Sequence, residues 1–247
     1  MNNIPNQYNL QKFHKDLTEL CIILSNAQTE QFIQYYEMLV KKNKVMNLTA
    51  ITDFDEVLKK HFVDSLSLVK AFDLFSERGE ISLIDIGTGA GFPGIPLKIA
   101  FPRLKVTLID SLNKRVDFLN EVITALKLDE INAIHGRAED YAKSDQLREK
   151  YDLCVSRAVA NLSILSEYCI PYVKVGGEFI SYKSEKVKEE LEKATSAIDI
   201  LGGKIEEQIT FTLPNSDIYR NLVVIRKVSE TPKKYPRKAG IASRKSL

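Results

Sequence analysis

The sequence predicts a doubly wound α/β domain with a Rossmann-like, mostly parallel seven-stranded sheet, preceded by an N-terminal helical extension and closed by a C-terminal antiparallel hairpin. Three observations carry this. Apolar residues recur at helical spacing up to about residue 76; short apolar runs then alternate with longer amphipathic ones; and the last two β-rich runs follow one another with no helix between. Alternation of strand-like and helix-like runs is the pattern of a parallel sheet covered on both faces.

In the extension the periodic positions are Leu17, Leu20 and Leu24, then Phe32, Tyr36 and Leu39, then Phe62, Leu66 and Val69. Such spacing puts each set on one helix face. Thr52 followed by Asp55 is expected to open the third segment as a capping box. Beyond Gly79, strands are expected at Ile81 to Ile86, Val106 to Asp110, Ile131 to His135, Leu153 to Ser156 and Glu178 to Tyr182, with helices near 94–100, 114–127, 162–173 and 185–201. The runs Lys204 to Leu213 and Tyr219 to Val228 lack the dozen or so residues of a parallel crossover, so they are expected to form a hairpin that places one antiparallel strand at the sheet edge. The division that follows is 1–78 for the extension, 79–232 for the α/β domain and 233–247 for a basic tail.

Composition narrows the function classes. No stretch approaches the roughly 20 apolar residues of a membrane span, and Met1 to Gln7 has neither the basic head nor the apolar core of a secretory signal. A cytoplasmic protein is expected. Cys21, Cys154 and Cys169 are far apart among apolar neighbours, as in buried packing positions, and His14, His61 and His135 are scattered without ligand spacing. No metal is expected. Charge is uneven: Lys233, Lys234, Arg237, Lys238, Arg244 and Lys245 stand with no acid among them, so the net +2 divides into +6 for residues 233–247 and −4 for residues 1–232. A basic strip on an acidic body is a handle for a polyanion, or else simply a solvated terminus.

The sharpest signal is Asp85-Ile86-Gly87-Thr88-Gly89-Ala90-Gly91-Phe92-Pro93-Gly94, directly after the first strand. Glycines there let the backbone turn tightly and approach a ligand, and Pro93 suits the first turn of the helix that follows. Gly89 to Gly94 also reads GxGxxG, the dinucleotide fingerprint, so the loop alone leaves the cofactor open. Asp110, ending the second strand, suits either reading, because a carboxylate there accepts the ribose hydroxyls of any adenosine cofactor. The register Gly87, Gly89, Gly91 after Asp85 resembles the first motif of class I methyltransferases, the final hairpin resembles their sheet, and no further domain remains to hold a reducible substrate against a nicotinamide. These favour S-adenosylmethionine over a nicotinamide oxidoreductase. A non-catalytic RNA-binding module and a small-molecule methyltransferase stay open.

The longer pattern resembles the GidB/RsmG family of 16S rRNA guanine-N7 methyltransferases, first named glucose-inhibited division protein B. The likeness rests on Asn47-Leu48-Thr49, His61 to Leu66, Asp85 to Leu97, Asp110-Ser111 with Lys114-Arg115, Arg137-Ala138-Glu139, Ser156 to Ala160 and Tyr235 to Gly240. It departs at Ala242 and Ser246, where similar proteins have proline, and at Ser184, where they have glycine. The resemblance implies 16S rRNA or the small ribosomal subunit as partner, and cofactor contacts at Gly87, Phe92, Ala138, Glu139 and Arg157. A monomer is expected.

Guanine N7 carries a lone pair and no proton, so no acid or base residue is expected; the work is alignment. The (D/N/S)PP(Y/F) motif of amino-group methyltransferases is absent, and Ser156-Arg157-Ala158-Val159 stands in its place. The Arg157 guanidinium there could hold a cofactor carboxylate or donate to a base oxygen; otherwise it is a structural ion pair. Glu139 and Ala138 follow the third strand, where the adenine edge should lie, unless Arg137 and Glu139 form a surface pair. Phe92 either packs on the cofactor or belongs to the core. Lys114, Arg115, Lys183, Arg237 and Lys238 are candidate RNA contacts, solvated faces being the alternative. Asn47 and His61 are candidates on the substrate side, against helix capping and core packing.

Overall fold

The structure, a computed structural model, describes residues 8–75, 79–143, 145–158, 160–184 and 187–247. Met1 to Gln7, the residues next to the expected division at 78/79, Val159 and the first two positions of the helix expected at 185–201 lie outside the described residues.

The extension begins with α1 (Gln11–Glu19) and α2 (Asn26–Met46). Ser25 and Gln28 close the start of α2 with a reciprocal capping box, which satisfies two helix-end N–H groups at once. The Gln28 amide also donates to the Ile99 carbonyl at 2.8 Å, tying this helix start to the α/β domain. Asp53, not Thr52, caps α3 (Phe54–Val57), its side chain accepting from Glu56 N at 3.0 Å. Thr52 instead offers its carbonyl to the Tyr36 hydroxyl, and Asp is the stronger cap. From α3 the chain runs on through a π-helical stretch (Leu58–Val63), α4 (Asp64–Leu66) and a 3-10 turn (Ser67–Lys70).

The α/β domain follows as β1 (Ser82–Ile86), α5 (Gly94–Ala100), β2 (Lys105–Asp110), α6 (Asn113–Ala125), β3 (Ile131–His135) and the short α7 (Ala138–Tyr141). Next come β4 (Tyr151–Ser156), α8 (Leu162–Cys169), β5 (Val173–Lys183), α9 (Lys188–Ile200), β6 (Gly203–Thr212) and β7 (Tyr219–Lys227), with α10 (Ile241–Arg244) in the tail. The seven strands are ordered β3-β2-β1-β4-β5-β7-β6. β1 to β5 pair in parallel, and β7 is antiparallel to both β5 and β6.

The antiparallel strand therefore lies inside the sheet, contrary to the expectation that it would form the edge. The physical reason is α9, a 13-residue crossover that returns β6 parallel to β5 with a one-strand gap between them. The short turn after β6 reverses the chain, and β7 fills the gap. Its Leu222, Val223, Val224 and Ile225 are all buried, as a strand covered on both faces requires.

Period-two alternation sends each strand's side chains to two cores. Leu83, Leu108, Val155, Ile180 and Leu222 face one that also holds Phe13, Phe32, Phe62 and Phe118. Ile84, Ile109, Cys154, Phe179 and Val223 face the other, with α8, α9 and Tyr235 of the tail. The extension thus shares an apolar core with one sheet face. Cys154 and Cys169 are buried as expected, but Cys21 is exposed, lying just past α1 with φ of 57°.

Phe32 is 0% exposed and packs edge-on to Phe13 at 5.4 Å and against Phe62 at 5.0 Å. Phe32→Ala should lower the urea-unfolding free energy by about 3–5 kcal/mol, and Phe32→Leu by less than half of that.

Candidate active site

The loop after β1 is shaped by its glycines. Gly87 and Gly89 have φ of 71° and 63°, a region costly for residues with a Cβ. The N–H groups of Gly87 and Thr88 both donate to the Ile109 carbonyl, at 2.9 and 3.2 Å, hanging the loop on the end of β2. Two carboxylates bracket it. Asp85, beneath, accepts from the Thr88 hydroxyl at 2.7 Å and Gly94 N at 2.9 Å. Asp110, alongside, accepts from Gly89 N and Leu112 N, both at 2.9 Å.

The glycines then divide by role. A Cβ on Gly91 would lie 2.6 Å from both Ile95 Cδ1 and the Tyr35 hydroxyl, so this glycine serves packing. Tyr35, from α2, donates to the Ala90 carbonyl at 2.5 Å and props the loop from the extension. A Cβ on Gly89 would meet nothing within 4 Å. Above it opens a cleft of about 730 Å³ at the carboxyl ends of β1 to β4, where ligands of open α/β sheets bind.

Of the residues expected to touch the cofactor, Gly87, Gly89, Phe92, Asp110, Ala138, Glu139 and Arg157 line this cleft. Asp85 and Gly91 do not; both work from below the loop. Phe92 stacks on His61, ring centroids 4.6 Å apart at 14°, with the Arg157 guanidinium 5.6 Å from the other ring's centroid, that of Phe92. Arg157 donates to the His61 carbonyl at 3.1 Å and the Ser65 hydroxyl at 2.8 Å and pairs with Asp64 at 3.3 Å. It is therefore a clasp between β4 and the extension as well as a cleft wall. Glu139 is 6% exposed and accepts from Gly240 N at 3.0 Å, so the Arg137–Glu139 surface pair is not what the fold builds.

The residues expected on the substrate side scatter. His61 lines the cleft, its Nε2 meeting the Thr49 hydroxyl at 2.8 Å while Nδ1 has no partner. Arg115 also lines the cleft, 3.4 Å from Asp110. Lys114 is exposed at the start of α6. Asn47 ends α2 in the left-handed region, φ 49°, a cap whose side chain stands outside the cleft. Lys183 differs from expectation: its ammonium is taken by Glu190 at 2.8 Å and the Ala160 carbonyl at 2.6 Å, in a neighbouring depression. Arg237 is likewise neutralised, held by buried Glu167 at 2.5 to 3.1 Å. Lys238 is exposed.

Sequence reasoning passed over Leu48, Tyr168 and Ser243 as cleft residues. Leu48 lies inside the Asn47-Leu48-Thr49 run, and Tyr168 and Ser243 carry no local signal. Among the described residues, no group of three or more His, Cys, Asp or Glu side chains could hold a metal.

Burial dominates the electrostatics. It pushes the His61 pKa down from 6.5 to about 4, with Arg157 adding to the shift, so the ring is neutral near pH 7. Burial raises the Asp85 carboxyl from 3.8 to about 7, against the Thr88 and Gly94 hydrogen bonds, which favour its charged form.

The cleft suits an adenosine-containing cofactor. Its volume is in the range of small-molecule sites, Gly89 leaves open space over the loop, and Asp110 retains lone pairs beyond its two backbone N–H bonds. A parallel sheet with an inserted antiparallel β7, a glycine loop at β1 and a carboxylate at the end of β2 define a class I methyltransferase, an enzyme that uses S-adenosylmethionine. The chain belongs to the GidB family, rRNA small subunit methyltransferase G, whose model matches residues 28–223. It is 57% identical over 228 residues to the ribosomal RNA small subunit methyltransferase G of Lachnoclostridium phytofermentans, covering 92% of this chain and 93% of that one. It is 49% identical over 240 residues to the protein of that name from Limosilactobacillus reuteri, covering 97% and 99%. A SAM-dependent methyltransferase from Aquifex aeolicus shares the fold, with a TM-score of 0.53 at 18% identity over 74% of this chain and 97% of that one.

Asp110→Asn should weaken S-adenosylhomocysteine binding, measured by calorimetry, by about 10- to 100-fold, the effect of losing a charged hydrogen-bond acceptor. His61 and Asp85 act oppositely on stability. The lowered His61 pKa contributes stability that is full above 6.5 and lost as pH falls toward 4; the raised Asp85 pKa contributes stability that is present below 3.8 and lost as pH rises toward 7. In urea melts across this range, Asp85→Asn should steepen the loss of stability toward acid, and His61→Gln should flatten it.

Proposed function

We propose that this chain transfers the methyl group of S-adenosylmethionine to ring N7 of a guanine in the decoding region of 16S rRNA. The observation that carries the reading is the open space over Gly89 with Asp110 beside it, in a chain of the GidB family. The cofactor supplies an electrophilic methyl on a sulfonium. Guanine N7 attacks with its own lone pair, so no residue need remove a proton. This accords with a cleft whose His61, with its pKa pushed down to about 4, is a weak base, and whose Asp110 already accepts two backbone N–H groups.

The residues then have positioning roles. Asp110 offers its remaining lone pairs to ribose hydroxyls, and Gly87 and Gly89 let the chain approach closely. Ala138 leaves room for the adenine edge beside Glu139. Phe92, stacked on His61 and with the Arg157 guanidinium near its ring, forms an apolar wall that limits the methyl group's freedom, and prior orientation of this kind supplies several kcal/mol of a barrier. Outside the cleft, Lys114, Lys233, Lys234, Lys238, Arg244 and Lys245 are exposed cations suited to phosphates. Arg237 and Lys183 serve the fold in this reading, through Glu167 and Glu190. The enzyme acts as a monomer in the cytoplasm.

The test is to incubate the protein with labelled S-adenosylmethionine and either 30S subunits or deproteinised 16S rRNA, then map 7-methylguanine by borohydride and aniline cleavage. One strand break in the decoding region is expected, and label incorporated without a break there would refute the reading. RNA affinity should fall steeply with salt, each released phosphate contact contributing about −0.7 to −0.9 to the slope of log K against log salt.

A further inference from the structure

The family model's match ends at residue 223, while the likeness to relatives runs on into a tail that is built into the fold. Arg148 donates to the carbonyls of Tyr235 at 2.9 Å and Thr231 at 2.6 Å. Tyr235 is buried in the second core. Arg237 places its guanidinium on both oxygens of Glu167, a side chain of α8 only 1% exposed, and Arg237 N donates to the same carboxylate at 2.7 Å. Beyond this clamp the chain turns at Gly240, where φ is 79°. Gly240 N reaches Glu139 at 3.0 Å, and Gly240 and Ser243 become part of the cleft wall, facing Tyr168.

From this geometry we infer that the tail is a component of the cofactor site: Gly240 and Ser243 close its adenine end, and tail docking and cofactor binding stabilise one another. The inference rests on the cofactor reading above and adds a wall to it. Glu139 is the link. Its carboxylate is buried, and the acceptor that would meet the adenine edge is oriented by the Gly240 N–H. When the tail leaves, Glu139 loses that donor and the cleft loses one side. Coupling of this kind is reciprocal, because whatever the cofactor gains from a docked tail, the tail gains from bound cofactor.

The clamp allows a test away from the cleft, since neither Glu167 nor Arg237 lines it. The double variant Arg237→Ala/Glu167→Gln releases the tail without leaving a buried unpaired carboxylate. If the tail is then docked one tenth of the time, the dissociation constant for S-adenosylhomocysteine should rise about tenfold by calorimetry. A second measurement uses the unaltered full chain: hydrogen exchange at the backbone amides of residues 239–244 should slow at least about threefold when S-adenosylhomocysteine is added, alongside those of Gly87 and Gly89, as expected of coupled local ordering. Affinity within twofold of the unaltered protein in a variant whose tail amides exchange faster would overturn the inference. So would protection of the glycine loop with no change in the tail, an outcome that leaves the cofactor reading standing. No binding of S-adenosylhomocysteine by the unaltered chain would remove both. Should the double variant fail to fold, the exchange measurement on the unaltered chain decides alone.

Discussion

The structure depends first on how the glycine loop is held. Its N–H groups cannot pair within a regular element, and a buried backbone donor without a partner is costly. Two aspartates and one carbonyl resolve this: Asp85 binds the start of α5 through Gly94 N, Asp110 binds Gly89 N, and Ile109 O takes Gly87 N and Thr88 N. The loop is thereby fixed between adjacent parallel strands, and its outer surface is free to meet a ligand. Asp85 bears the cost, since its second oxygen, Oδ1, is buried without a partner.

The helical extension belongs to this arrangement. Tyr35 props Ala90 from α2, while the π-helical stretch brings His61 against Phe92 and offers carbonyls to Arg157. A π-helical turn shifts the register of side chains along a helix, a device found often at functional sites. Here it places the His61 ring at the cleft and leaves Phe62 in the core. On the far side Arg220, from β7, joins Arg157 on Asp64, at 2.8 Å and 3.3 Å respectively. One buried carboxylate thus draws together the extension, the end of β4 and the inserted strand.

Much of this was legible in sequence because it is local. The strand and helix alternation, the glycine loop and the carboxylate ending β2 each follow from short-range pattern, and all came together in one cleft. What sequence missed was non-local. Nothing near Lys183 or Arg237 announces Glu190 or Glu167, so both cations read as available when they are paired. Asp85 reads as a cofactor ligand from its motif, yet the loop folds over it. The place of β7 depended on where α9 would return the chain, which strand composition alone does not encode. Asp53 displaced Thr52 as a helix cap by one position, a small shift that local preference could have anticipated.

The inserted β7 also dictates an order of events during synthesis. Until residues up to Lys227 are made, β5 carries an open edge and β6 has no neighbour to pair with. An unpaired edge of this kind invites wrong partners. The nascent polypeptide can thus close its sheet only once residue 227 has been made, and can dock the tail that follows only later still. A chain released before that point would leave β5 and β6 without the strand that joins them.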